Sequence, residues 1–371
     1  MDFAPSEEQV AAREAAAEVL SRVSASRVDA DTPPTGEDWL DRATWSKLAS
    51  SNVLGIGLAE DVGGSGLGVL ETAGVLEEMG MHLARVPGIV TLGVAAPAID
   101  TFGSPALRTS VLPRVVSGDA ILTVALVEPE GYDSDVVMTT ASSTNSGWVL
   151  SGEKTCVPFA AAADLVIVPA TLPGGEIAVF VVEPTATGVS LDLQETTNGQ
   201  PEYMVLLDDV AVDVTSRLGA DATVYRWLLD RAVLATCALQ LGVIEQALTM
   251  TAAYTSTREQ FGKPLATFQS VALRAADAYI AVTCVRTTLL QAAWLLSEGR
   301  EVGHSIDVAK FWASEGAETV TAAAQQLHGG LGVDIDYPLH RYTLWCKRNE
   351  LSLGSGHAHL ATIGAAIAAS D

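Results

Sequence analysis

Residues 326–332 read Gln326-Leu327-His328-Gly329-Gly330-Leu331-Gly332, and residues 337–359 follow as YPLHRYTLWCKRNELSLGSGHAH. The first piece ends a helix, and its paired glycines allow close backbone approach to a bound group. The Gln326 amide can bond a phosphate or an adenine edge. Taken alone, such a turn is an ordinary helix C-cap. The second piece runs to Leu353-Gly354-Ser355. A leucine there can neither take nor give a proton. His357 and His359 are two residues apart, so on a helix they cannot face one metal. No metal site is expected.

Upstream the helical period is strong. From about Ala222, Leu234, Leu241, Ile244 and Leu248 recur at seven-, three- and four-residue steps, one apolar stripe. The stretches 265–298 and 305–327 continue as long helices with short links, which predicts a four-helix bundle. Before it, Ile121–Val127, Trp148–Leu150, Leu165–Val168, Ile177–Val182 and Met204–Leu207 are short β-branched runs separated by Gly, Pro, Asn and Asp. They predict a small antiparallel barrel or sandwich ending near Val214. Residues 1–118 read as helices. Ser6 can cap the first, with Glu7 and Glu8 at its positive end. Ser104-Pro105 starts another, which stops near Gly118. The loop Glu60–Gly66 is glycine-rich.

The fold class is therefore α+β: an N-terminal helical domain (1–118), a central antiparallel β domain (119–215) and a C-terminal bundle (216–371). Of its residues, 49% are hydrophobic and only 18% charged, which excludes a disordered chain. The net charge of −24 argues against nucleic acid or an anionic membrane as partner. Cys156, Cys237, Cys284 and Cys346 form no CxxC pair and read as buried apolar residues in a reducing cytosol. The N-terminus MDFAPSEEQ is no signal peptide. No apolar run of ~18 residues lacks a polar break, so no transmembrane span is expected.

Four segments in order carry a resemblance across essentially the whole chain. They are Trp45 to Pro87, Ala125-Leu126-Val127-Glu128-Pro129, Arg258-Glu259-Gln260-Phe261-Gly262-Lys263-Pro264, and Gln326 to Gly332. Together they resemble the acyl-CoA dehydrogenases. The resemblance implies that family's fold, FAD as cofactor, an acyl-CoA substrate, and an electron-transfer flavoprotein or similar acceptor. It also implies that Arg258, Gln260, Phe261, Gln269, Gln326, Leu327, His328, Gly329 and Gly330 form a cofactor face, reaching across a subunit interface to a neighbour's FAD. Arg258 suits pyrophosphate as an always-charged fork, although an arginine at a helix end can also simply neutralise carbonyls. His328 reads as positional. His340 and Arg341 read as interface residues. Ser355 stands where the family has a threonine and can still donate.

Other positions depart from the family. Its usual catalytic Glu falls on Leu353, and an alternative position on the preceding helix falls on Ala232. Asp230 is two residues off, ~200° around a helix, and reads as a solvated or capping charge. Glu350 is nearly one turn before Leu353 and is either a displaced base or a surface charge beside Lys347 and Arg348. Val127 replaces a threonine, Tyr132 sits among the small residues of 131–135, and Cys156-Val157-Pro158-Phe159 replaces an aromatic-Ile-Thr-Asn run against the flavin ring. Proline has no N–H to offer. The neighbour-facing residues are thus intact and the self-facing ones degraded. Within the family this pattern is similar to the subunit without a base in actinobacterial heterotetramers of steroid side-chain β-oxidation, whose Glu-bearing paralogue completes the site. Two other readings stay open: a self-sufficient dehydrogenase using Glu350 or Asp230, and a non-enzymatic scaffold. A cytoplasmic location is expected.

Overall fold

The computed structural model describes residues 4–27, 35–131 and 136–370. The expectations for Tyr132 and for residues 133–135 lie outside the described residues. Helices α1 (Glu7–Arg27), α2 (Arg42–Ser50), α3 (Val69–Met81), α4 (Ala96–Phe102) and α5 (Pro105–Val116) come first. Ser6 Oγ accepts from the Gln9 amide at 3.2 Å, and Gln9 Oε1 accepts from the Ser6 amide at 3.2 Å, a reciprocal cap. Ser104 Oγ accepts from the Leu107 amide at 3.2 Å with Pro105 at the first helical position. A π-helical stretch, Gly88–Ala95, precedes α4. Such stretches are rare and gather at functional sites.

Eight strands form one sheet: β1 (Leu122–Val124), β2 (Thr140–Ser143), β3 (Gly147–Pro158), β4 (Leu165–Thr171), β5 (Ile177–Val182), β6 (Val189–Gln194), β7 (Glu202–Asp213) and β8 (Arg217–Leu218). Their order is β6-β7-β3-β2-β4-β5-β8, with β1 beside β4. The sheet is mixed, not antiparallel as expected. β1 runs parallel to β4, Leu122 opposite Leu165, and β2 meets β4 in parallel at Thr140 and Thr171. A parallel pair needs a long crossover, and the chain through β2 and β3 supplies it. A three-residue strand carries no pattern that betrays its partner's direction. β2, β6 and β8 were not anticipated, since TASS and VSLDLQ are polar and β6 has no fully buried residue. Ala141, Leu150, Val168, Phe180 and Val205 form a core within the sheet, separate from the main one.

The chain then returns to helix: α6 (Thr223–Thr257), a two-strand hairpin β9 (Glu259–Gln260) and β10 (Lys263–Pro264), then α7 (Gln269–Ser297), α8 (Ser305–His328), α9 (Leu339–Leu351) and α10 (Gly356–Ser370). Every residue of α6 from Ala232 to Ile244 is buried, so the stripe read from the sequence is one side of a helix enclosed all round. α6 packs on α3, α7, α8 and α9. The α3 contact is close because both sides use glycine: a Cβ on Gly80 would collide with the Leu239 carbonyl, and one on Gly242 with the Glu77 carbonyl.

By length and composition alone α6 and α7 are each apolar enough to cross a membrane, a test that the core helix of a globular fold also passes. The apolar window of α6 is 89% buried in the fold, that of α7 only 33%. Leu273, Tyr279 and Ile280 stand exposed on α7. The cysteine expectation holds for two of four. Cys237 and Cys346 are buried, and burial pushes the Cys237 thiol up to about 12. Cys284 is half-buried and Cys156 exposed.

Candidate active site and cofactor face

Two regions gather the residues that the sequence singled out. The first is a cavity of about 720 Å³, counting its open part, between the π-helical stretch, the sheet, α6 and the turn after α9. Ile89, Val90, Val124, Leu126, Ala232 and Leu239 make it apolar. Ala232 and Leu353, the two positions at which a base was expected and is lacking, both line it. Backbone strain collects on its wall. Cys156, Phe159 and Leu353 all have positive φ, 52°, 57° and 55°. Non-glycine residues hold such angles only where surrounding structure enforces them, commonly at sites of function.

The enforcement at Leu353 comes from buried groups of α8 and α10. Lys310, 1% exposed, donates Nζ to the carbonyls of Asn349 at 2.8 Å and Glu350 at 3.0 Å, the end of α9 where a cation is favoured. Burial pushes its ammonium down to about 8. His359 Nε2 lies 2.9 Å from the Leu353 carbonyl, and Nδ1 lies 2.8 Å from Asp307 Oδ1. Ser355 caps α10, its Oγ accepting from the Ala358 amide at 3.4 Å, which leaves the hydroxyl proton free to donate.

Among the described residues one carboxylate lines the cavity, and no sequence pattern marked it. Glu202, first residue of β7 and 6% exposed, takes Arg348 Nε at 2.9 Å and Nη2 at 2.5 Å on one oxygen. Gln200 Nε2 adds a contact at 3.4 Å. Arg348 Nη1 donates to Asn349 Oδ1 at 3.2 Å, and Asn349 Nδ2 to Gln240 Oε1 at 3.0 Å. The view of Arg348 as a companion of surface charges is therefore corrected. A signal existed: Arg348 follows Trp345 by three residues, and Trp345 lies on the buried face of α9. Glu350 does pair with Lys347 at 2.7 Å and lies outside the cavity lining. Asp230 is also corrected. It is 8% exposed rather than solvated, with Arg226 Nε 2.9 Å from Oδ1, and burial raises its pKa. It lines a different cavity with His304, Asp307 and His359, so it is not beside Leu353.

A flavin ring held on the sheet wall of the first cavity would need free donors there. The Thr155 amide is spent on the Val127 carbonyl at 2.9 Å, and the Phe159 amide on the Pro201 carbonyl at 3.0 Å. Gln194 Oε1 accepts from the Cys156 amide at 2.9 Å, and Pro158 has no N–H. Glu128 is fixed by Lys154 Nζ at 2.7 Å and by the amides of Met138 and Thr139. Burial opposes its ionisation, but these donors outweigh burial and hold its pKa below the usual value. The N–H groups of Thr155, Cys156 and Phe159 are thus spent within the chain and Pro158 has none, so this stretch of strand does not fit a ring that needs donors from it.

The second region is the outer end of α6 and α8. Arg258 caps α6 and is exposed, with no ion pair among the described residues. Phe261 and Gly262 form the two-residue turn of the β9–β10 hairpin at φ 54° and 77°, the left-handed pair that such a turn requires. Phe261 is 93% exposed, a large apolar group with no cover. Gln260, Gln269, Gln326, Gly329 and Gly330 are exposed as well, and Leu327 is half-buried. His328 instead points inward. Nδ1 meets the Ala324 carbonyl at 2.8 Å, Nε2 meets Tyr337 Oη at 3.2 Å, and the ring stacks on Tyr254 at 4.4 Å. Burial lowers its pKa, so it is neutral and ties the end of α6 to the end of α8. The free fork of Arg258 and the unpaired amides are a donor set that fits a dinucleotide's pyrophosphate and adenine.

The sequence matches the N-terminal domain of acyl-CoA dehydrogenases over residues 6–119 and the C-terminal domain over 222–368. It is 40% identical over 340 residues to acyl-CoA dehydrogenase FadE27 of Mycobacterium tuberculosis, 90% of each chain. Among solved structures it is similar to a chain of the ChsE4–ChsE5 complex from Mycobacterium tuberculosis, with TM-score 0.90, 36% identity and 99% of each chain covered. It is equally similar to a chain of the Tcur3481–Tcur3483 steroid ACAD, with TM-score 0.90, 38% identity and 98% of each chain covered.

Proposed function

We propose, since this chain belongs to the acyl-CoA dehydrogenase family, FAD-dependent oxidoreductases acting on CH–CH bonds, that it is one of two unlike subunits sharing each flavin. The partner is a Glu-bearing paralogue that supplies the base. The substrate is a bulky acyl-CoA thioester such as a sterol side-chain CoA, and an electron-transfer flavoprotein or similar acceptor takes the electrons. The observation that carries this is the pairing, among the described residues, of a cavity whose one carboxylate is held by Arg348 with an outer face of donors that have no side-chain partner. Two of the similar structures are themselves two-component complexes, one of them a steroid ACAD. We place the assembly in the cytoplasm and take 1–118, 119–215 and 216–371 as its three working parts.

In this reading FAD, when bound, accepts the hydride from the substrate β-carbon while a carboxylate removes the α-proton. This chain's residues hold and orient. Arg258 places two parallel N–H donors on the pyrophosphate and offsets its charge. Gln326 and Gln269 offer amides to the nucleotide, Gln260 and Phe261 pack over it from the hairpin, and Gly329 and Gly330 let it approach the backbone. Ser355 donates its free hydroxyl proton. The exposed Leu273, Tyr279 and Ile280 of α7 lie in the partner contact, where apolar burial drives association. Leu353 leaves proton abstraction to the partner. A self-sufficient enzyme is disfavoured because Glu350 and Asp230 lie outside the cavity. A bare scaffold is disfavoured by the unused donors of the outer face.

The test is co-expression with a Glu-bearing paralogue, followed by flavin absorbance and steady-state acyl-CoA oxidation. The expected result is a yellow, active complex with a single flavin for each pair of chains, and an inactive isolated chain with little FAD. Full flavin occupancy and turnover in the isolated chain would overturn the proposal.

A further inference from the structure

The Glu202–Arg348 ion pair bridges two parts of the molecule inside the cavity. Glu202 comes from the sheet, opposite Pro158 in the β3–β7 ladder, and Arg348 from α9, one turn before Ser352. Their side chains are 8% and 11% exposed. The pair continues through Asn349 to Gln240 of α6, whose Nε2 reaches the Cys346 carbonyl at 3.3 Å. Beneath it, Trp39 stacks on Trp345 at 5.5 Å and tilts against Phe159 at 5.7 Å. The network therefore sits at the junction of sheet and bundle, against the strand residues whose amides are already spent.

We infer that Glu202 and Arg348 lock this chain's own cavity against the flavin ring, so that the chain serves only a flavin bound by its partner. The inference deepens the shared-flavin reading and names the residues that set which subunit holds the ring. An isoalloxazine needs donors and acceptors along one edge. Here that polar edge is satisfied internally by an ion pair. A ring that drew its donors from Arg348 would take the guanidinium from Glu202 and leave a carboxylate in an apolar cavity without its counter-charge, which is strongly unfavourable. Gln194 completes the substitution by occupying the Cys156 amide. Pro158 alone would only withhold a donor, whereas the ion pair also commits the Arg348 fork to Glu202.

The test uses the isolated full-length chain and lumiflavin, the ring without its nucleotide, read by quenching of lumiflavin fluorescence. Because no partner is present, failure here is separate from failure of the shared-flavin reading. Wild type should not bind. The double variant Glu202→Gln with Arg348→Met removes both charges together and should bind at least about tenfold more tightly. Adding Leu353→Trp, which fills the cavity, should abolish the gain. Arg348→Lys keeps a counter-charge for Glu202 while losing the fork, so it protects the fold and should give a smaller gain. Folding is followed by circular dichroism and melting. Lumiflavin binding by wild type, no gain in a folded double variant, or a gain that survives Leu353→Trp would each overturn the inference. Were the double variant unfolded, the absence of any gain in Arg348→Lys would do so.

Discussion

The cavity and the outer face hold equally chemical residues, yet they stand in opposite states. In the cavity the polar groups named here have partners within the chain: Glu202 with Arg348, Cys156 N–H with Gln194, and the Leu353 carbonyl with His359. On the outer face Arg258 pairs with nothing among the described residues, Phe261 is almost wholly exposed, and Gln260, Gln269 and Gln326 face solvent. A buried polar group must be satisfied internally because leaving it unpaired is costly. An exposed one can wait for a partner. Among the described residues, the polar groups named in the cavity are satisfied within the chain and those of the outer face are left open, a contrast that supports the proposal of a subunit completing another's site.

The largest effect that would break this contrast is at Arg258. Arg258→Ala in the assembled complex should weaken FAD binding by ~1.5–3 kcal/mol, roughly tenfold to a hundredfold, and Arg258→Lys should restore only part. The dissociation constant for FAD is the measurement, and an unchanged value would make Arg258 a helix-end residue only.

Next in size is a pH effect at Glu77 of α3, in the seam with α6 and α7. The Glu77 carboxyl is pushed up to about 7, chiefly by burial, with Glu245 adding and Arg286 and Arg13 opposing. Folded chain thus keeps a proton that unfolded chain has lost between the ordinary value, 4.5, and about 7. Stability from this group is complete below pH 4.5 and is lost as pH rises through about 7. The slope approaches about 1 kcal/mol per pH unit, and Glu77→Gln should flatten it. Urea midpoints across that range check this, and an unchanged slope in the variant would contradict it.

The smallest effects should come from carboxylates outside the proposed chemistry. Glu350→Gln and Asp230→Asn should leave turnover by the complex within about threefold of wild type, because neither lies in the cavity. Loss of the ~10²–10⁴ typical of a general base in either variant would instead identify a displaced base. Leu353→Glu should create no turnover in the isolated chain. It places a carboxylate beside a wall without free donors and destabilises the cavity. Strong activity there would dissolve the contrast between the two regions.

Local and periodic features were legible without coordinates. The cap at Ser6, the Ser104-Pro105 helix start and the α6 stripe depend on neighbours within one or two turns, so residue order alone determines them. The family resemblance was legible in the same way, as was the exposed position of Arg258, Gln260, Phe261, Gln269, Gln326, Gly329 and Gly330, whereas His328 of that set turns inward. The parallel pairing of β1 with β4, the burial of Asp230 and the ion pair of Glu202 with Arg348 were not legible. The two members of that pair are 146 residues apart. They meet because the sheet packs against the bundle, and no spacing along the chain encodes that distance. Whether a charge is solvated, paired or locked in a cavity is decided by what folds over it, and only the tertiary structure supplies that cover.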